Sequence, residues 1–250
     1  MTSSNRAHEN PTVDSIRNAM VERSRSLEDL GVRAVIVGGS IARDEFVKGW
    51  SDVDLLVVCE SAHNATGQLG QLLASSIPNE EASTSIATVD ECEHGEPGRV
   101  GLTNKEIRML SRLGTEAVLV WGSPPKVGEW VVQGDAQSAP AALALQRRDL
   151  RRLAVQQTLT QQLIVKAIRH LFTVARLSLR LGGTDVIGYD EVASAIGRRN
   201  PEWKLALMEV GRYRAMWRQP AARSESLNVS VTKLLELAEV LCAKSDWMSS

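Results

Sequence analysis

The stretch GGSIARDEFVKGWSDVD, residues 38–54, decides the fold. One apolar run, RAVIV, leads into it, and another, LLVVC, leaves it. Both are dominated by β-branched and aliphatic residues, and glycines end the first, so the chain reads as strands over 33–39 and 52–59. Glycine after a strand lets the backbone turn sharply and approach a ligand closely. SIARDEF then reads as one or two helical turns with Ser40 as N-cap, a junction whose free backbone N–H groups suit a phosphate. On a strand, Asp52 and Asp54 project to the same face, because side chains alternate. Two neighbouring carboxylates repel unless a cation lies between them. Mg²⁺ takes hard oxygen ligands and sits well beside phosphates. A carboxylate pair next to a glycine turn therefore points to metal-assisted phosphoryl or nucleotidyl transfer.

Working outward, residues 13–30 carry Val13, Ile16, Met20, Leu27 and Leu30 at roughly helical spacing and read as one amphipathic helix. Downstream come a helix over 64–76, a Ser/Thr-rich strand over 82–89, a helix over 103–114 and a strand over 116–122. Residues 123–139 are rich in Pro, Gly and small polar residues and read as a linker. Beyond them the apolar period is helical: one long helix or two, closed by Gly182-Gly183, then helices over 189–199, 201–219 and 226–244. The expected class is α+β. A flexible N-terminus (1–12) precedes a mixed-sheet domain (13–122), the linker (123–139) and a helical bundle (140–250).

Hydrophobic residues make up 43% of the 250 and charged residues 24%, enough for a core without staples. Cys59, Cys92 and Cys242 are scattered without zinc spacing, which suits a reducing cytoplasm. No apolar run approaches the roughly 20 residues of a membrane span, and MTSSNRAHENPT has no apolar core of a secretory signal. The net charge of −1 hides an asymmetry. Residues 1–139 hold 12 Lys/Arg against 20 Asp/Glu, net −8, and residues 140–250 hold 17 against 10, net +7. The two halves read either as solvated surfaces that happen to differ or as an acidic, cation-binding half and a basic, anion-holding one.

GGSIAR…GWSDVDLLVV resembles the motif G-[GS]-x-A-R-G-x(n)-S-D-x-D-[LI]-x-V of the DNA polymerase β-like nucleotidyltransferases, departing at Asp44, where the family usually has Gly. The helical C-terminal half is similar to that of the aminoglycoside adenylyltransferases, the streptomycin/spectinomycin type in particular. The resemblance implies that Gly39, Ser40 and Ser51 hold a triphosphate, that Asp52 and Asp54 hold Mg²⁺, and that Arg43 supports the loop or the phosphates. It implies a third carboxylate on the following strand, near its middle. ASTSIATV has Ser and Thr there, so Asp90 at its end is the candidate, with Glu80, Glu81 and Glu91 as weaker ones. Two further departures weigh against the streptomycin type: HGEPG stands where a tryptophan follows Phe-Gly-Glu, and Tyr189 stands where a nucleotide-contacting lysine is expected.

Outside the motif, Arg147, Arg148, Arg151 and Arg152 form a basic stripe on a helix, read as a solvated face or as one that meets phosphates or nucleic acid. His170 reads as a packing histidine. Trp50, beside Ser51, is placed to shield a nucleotide. The expected function is Mg²⁺-dependent transfer of a nucleoside monophosphate, AMP from ATP, to a hydroxyl on a small molecule, a protein or an RNA end, with release of pyrophosphate. Two alternatives stand: a catalytically impaired nucleotide sensor of the same fold, and a toxin–antitoxin-type modifier of protein or RNA.

Overall fold

The computed structural model describes residues 10–61, 66–77, 82–95, 102–155, 160–199, 201–217, 236 and 239. Most of the expected N-terminal tail and of the helix over 226–244, together with Glu80, Glu81 and Pro97 of HGEPG, lies outside the described residues. The elements are α1 (Val13–Glu22), α2 (Ser24–Asp29), β1 (Val32–Gly38), α3 (Gly39–Ala42), β2 (Val53–Cys59), α4 (Thr66–Ser76) and β3 (Ala82–Thr88). They continue with α5 (Val89–His94), α6 (Asn104–Ser111), β4 (Val118–Gly122), α7 (Glu129–Ala154), α8 (Gln161–Leu181), α9 (Tyr189–Arg199) and α10 (Pro201–Trp217). The chain divides into two compact units, residues 1–136 and 137–250, and the division falls within α7.

The first unit is built on a mixed four-stranded sheet in the order β3-β2-β1-β4. β1 runs antiparallel to β2 and β4, and β2 runs parallel to β3. A parallel pair needs a crossover, and α4 supplies it. Period-2 alternation divides the core between the two faces. Val35, Val37, Val53, Leu55 and Val57 pack with Ile16 and Met20 of α1, Leu27 of α2 and Leu69 and Leu73 of α4. Ala34, Ile36, Leu56 and Val58 pack with Cys92 of α5, Ile107 and Leu110 of α6, and Trp130 and Val131 of α7. Each large aliphatic side chain so buried contributes about 1.5–3 kcal/mol. β1 and β2 are covered on both sides, which explains their continuous apolar sequence.

Several boundaries differ from those read from sequence. The helix expected over 13–30 is two helices, broken at Arg23, whose backbone leaves helical geometry at φ −110°. Residues 89–92, read as the end of a strand, instead open α5, because Thr88 and Glu91 close a reciprocal capping box over its first turn. The stretch read as a linker is irregular only up to residue 128; from Glu129 it is α7, which continues through Pro140. Trp130 and Val131 are buried in the first unit's core, and the indole N–H of Trp130 donates to the carbonyl of Cys92 at 3.2 Å. That anchoring outweighs the turn-forming tendency of the local Gly and Pro.

In the second unit the long helical segment is two helices, α7 and α8. Thr160 caps α8 by accepting from the Leu163 amide. The arginine stripe is matched internally. Arg147 and Arg151 both bond Glu239, and Arg148 and Arg152 approach Asp149 at 3.5 and 3.8 Å. His170 bonds Gln146 through Nδ1, and burial pulls its pKa below the ordinary value, as expected of a packing histidine.

Candidate active site

The glycine turn and the carboxylates meet at one end of the sheet. Gly38, the last residue of β1, pairs with Asp54 of β2. Gly39 then turns the chain with φ +69° into the single-turn α3. The residue must be glycine on two grounds. An L side chain there is strained, and an added Cβ would lie 2.5 Å from Asp54 Oδ2. The close approach expected of the glycines is thus an approach of backbone to carboxylate. Ser40 is not the N-cap. Gly38 holds that position without a side-chain bond, and Ser40 lies inside α3, its carbonyl accepting from the Glu45 amide at 2.7 Å.

The loop from α3 to β2 is held by its own polar groups. Arg43 Nε donates to Glu45 at 3.1 Å, and the Ser51 hydroxyl oxygen accepts from the Val47 amide at 3.2 Å. Asp44 has φ +55°, the left-handed region that favours glycine. Asp44 fills this left-handed position as a residue type that tolerates it. Trp50 does not shield a ligand; it is 2% exposed and packs into the interior.

Asp54 shares its face with Leu56 and Val58, the face covered by α6. The first turn of α6 brings Lys105 to it: Nζ lies 2.6 Å from Asp54 Oδ1 and 3.2 Å from Ser83 Oγ. Ser83 stands on the parallel rung directly beside Asp54. Next along, Ser85 donates to the Glu106 carboxylate, whose other oxygen takes the amide and hydroxyl of Thr103 in a capping box. Burial pushes the Glu106 carboxyl up, but these hydrogen bonds outweigh it and the net shift is downward. Glu106 is 5% exposed and committed to structure.

Asp90 does not join this group. β2 and β3 run parallel from the Asp54–Ser83 rung to the Cys59–Thr88 rung, roughly 16 Å at about 3.3 Å per residue. Asp90 lies beyond that far end, in the first turn of α5, exposed and 3.2 Å from His94 Nδ1. Among the described residues no group of three or more His, Cys, Asp or Glu converges on one point. Carboxylate oxygens are of the kind a divalent cation takes, and the Lys105 ammonium on Asp54 shows that this oxygen accepts a positive charge. Sequence reasoning missed Lys105 and Glu106. The Thr103-x-x-Glu106 capping box was legible, but the pairing of residue 105 with residue 54 was not.

Residues 13–98 match the family model described as nucleotidyltransferase domain. Such domains generally take a nucleoside triphosphate and a divalent metal, and the mixed sheet with flanking helices is their fold. The solved structure of a nucleotidyltransferase-like protein from Exiguobacterium sibiricum 255-15 is 14% identical. The match covers 92% of this chain and 75% of that one. Its TM-score is 0.28, too low to bear on function. No curated protein matches the chain. Among the described residues no helix is long and apolar enough to cross a membrane.

Proposed function

We propose that the chain transfers a nucleoside monophosphate, AMP from ATP, to a hydroxyl acceptor and releases pyrophosphate. The observation that carries this reading is the contact of the Gly38-Gly39 turn with Asp54, two residues after Asp52. On this reading Asp52 and Asp54 hold Mg²⁺, which supplies charge neutralisation to the triphosphate. Gly39, Ser40 and Ser51 position the phosphates for in-line attack, and Arg43 stiffens the loop through Glu45. The acceptor is a hydroxyl of a small molecule, aminoglycosides included, of a protein or of an RNA.

One observation supports a second reading, a nucleotide-binding sensor. Ser83, not a carboxylate, stands on the rung beside Asp54, and among the described residues no third acid gathers there to take the acceptor's proton. Asp52→Asn separates the two. Purified protein is incubated with Mg²⁺, labelled nucleoside triphosphates and a cell extract. Label on a product from wild type, falling about 100-fold or more in Asp52→Asn, is the expected result. Metal-dependent nucleotide binding with no labelled product from wild type would establish the sensor.

A further inference from the structure

We propose that Lys105 is a built-in counter-cation of the Asp52/Asp54 site. Its ammonium occupies Asp54 when no ligand is bound, competes with the divalent metal for that carboxylate, and turns to the triphosphate when metal and nucleotide enter together. This rests on the nucleotidyltransferase reading above and adds an order to it: metal alone binds poorly, and metal with nucleotide binds cooperatively.

The placement is specific. The Glu106–Ser85 bond ties the first turn of α6 to β3, and the Thr103 cap fixes that turn's start. Lys105, one residue before Glu106, is thereby held over the Asp54–Ser83 rung, bonded to both residues. The other oxygen of Asp54 faces the Gly39 turn. A cation on the site must share Asp54 with the ammonium, and like charges at such range repel. The ammonium is nevertheless easy to displace. It is a compact charge on a flexible stem, without the fixed fork of arginine, and its side chain is 39% exposed. A triphosphate beside the glycine turn offers it a new partner. The repulsion is then relieved, and the two ligands assist each other's binding.

The test uses Mn²⁺ as a spectroscopic probe of the full-length chain, measured by the loss of its free electron paramagnetic resonance signal. Binding is followed with and without the α,β-methylene analogue of ATP. Lys105→Met should bind Mn²⁺ alone at least five-fold more tightly than wild type, and the analogue should then raise its Mn²⁺ affinity less than it raises that of wild type. Lys105→Arg, which keeps the charge and adds the fixed fork, should bind Mn²⁺ alone no more tightly than wild type. Lys105→Gln repeats the measurement with a neutral polar side chain should the methionine variant melt without cooperativity. Mn²⁺ binding that both neutral variants leave unchanged or weaken overturns the role of Lys105 alone. No Mn²⁺ binding by wild type or any variant, even with the analogue, overturns the nucleotidyltransferase reading and this proposal with it.

Discussion

Each unit of the chain has a carboxylate in ionic contact with cations, and the two are held differently. In the second unit Glu239 is gripped by two arginines, 147 and 151, each through two nitrogens. Those bonds pull its pKa down to about 2. In the first unit Asp54 meets one lysine, at one oxygen, and its other oxygen faces a glycine turn. Arginine forks are preorganised and bidentate, so the geometry of the Glu239 contact is fixed. A lone ammonium is an exchangeable partner. The comparison separates an ion pair that builds structure from one that keeps a place ready for another cation.

Three substitutions break or sharpen that contrast. Gly39→Ala has the largest expected effect. It forces a left-handed conformation on an L residue and drives a methyl group against Asp54 Oδ2. The strain costs about 1–2 kcal/mol, and transfer should fall on the order of 100-fold as the carboxylate is misplaced. Wild-type turnover of labelled nucleotide in Gly39→Ala would show that the turn does not set Asp54. Next comes Glu106→Ala, which tests a locked carboxylate on the same sheet face. It strands the Ser85 hydroxyl and the Thr103 amide, at an expected cost of about 2–3 kcal/mol. Urea unfolding reads this directly; a change within about 0.5 kcal/mol would mean the cap is not holding α6.

Glu239→Gln has the smallest effect. The folded-state pKa of Glu239 lies below its ordinary value of 4.5, so the link stabilises fully above about pH 4.5. It is lost as the pH falls through about 2. The pair is partly exposed, which limits its worth to about 1 kcal/mol after solvent screening. Wild type should exceed the variant in stability at pH 7, and the two should converge near pH 2. A gap that persists undiminished at pH 2 would show that charge is not what Glu239 contributes.

Local features carried most of what the sequence disclosed. The continuous β-branched and aliphatic runs gave β1 and β2, and the Asp-x-Asp spacing put two carboxylates at the mouth of β2. Gly39 was legible because a sharp turn after a strand has few other solutions. What failed was either a competing local rule or a distant contact. Ser40 looked like a cap, but the cap is Gly38, two residues earlier, and Gly39 opens α3 with a positive φ. Asp90 looked like the end of a strand, yet the Thr88–Glu91 capping box turns it into α5, at the far end of the β2–β3 pair from Asp54. Gly and Pro over 123–139 suggested a linker, and burial of Trp130 and Val131 made its second part a helix. Lys105 and Asp54 are brought together by the β2–β3 register and by the docking of α6, which no local pattern encodes.

Pro140 inside α7 has a consequence for cooperativity. Proline has no N–H, so the carbonyl four residues earlier, that of Ala136, receives no helical bond from it. Ala136 is the last residue of the first unit. The helix backbone thus runs without interruption from one unit into the next, while its hydrogen-bond ladder misses a rung at the boundary. Helix unwinding that begins on either side of that gap has one hydrogen bond fewer to break there.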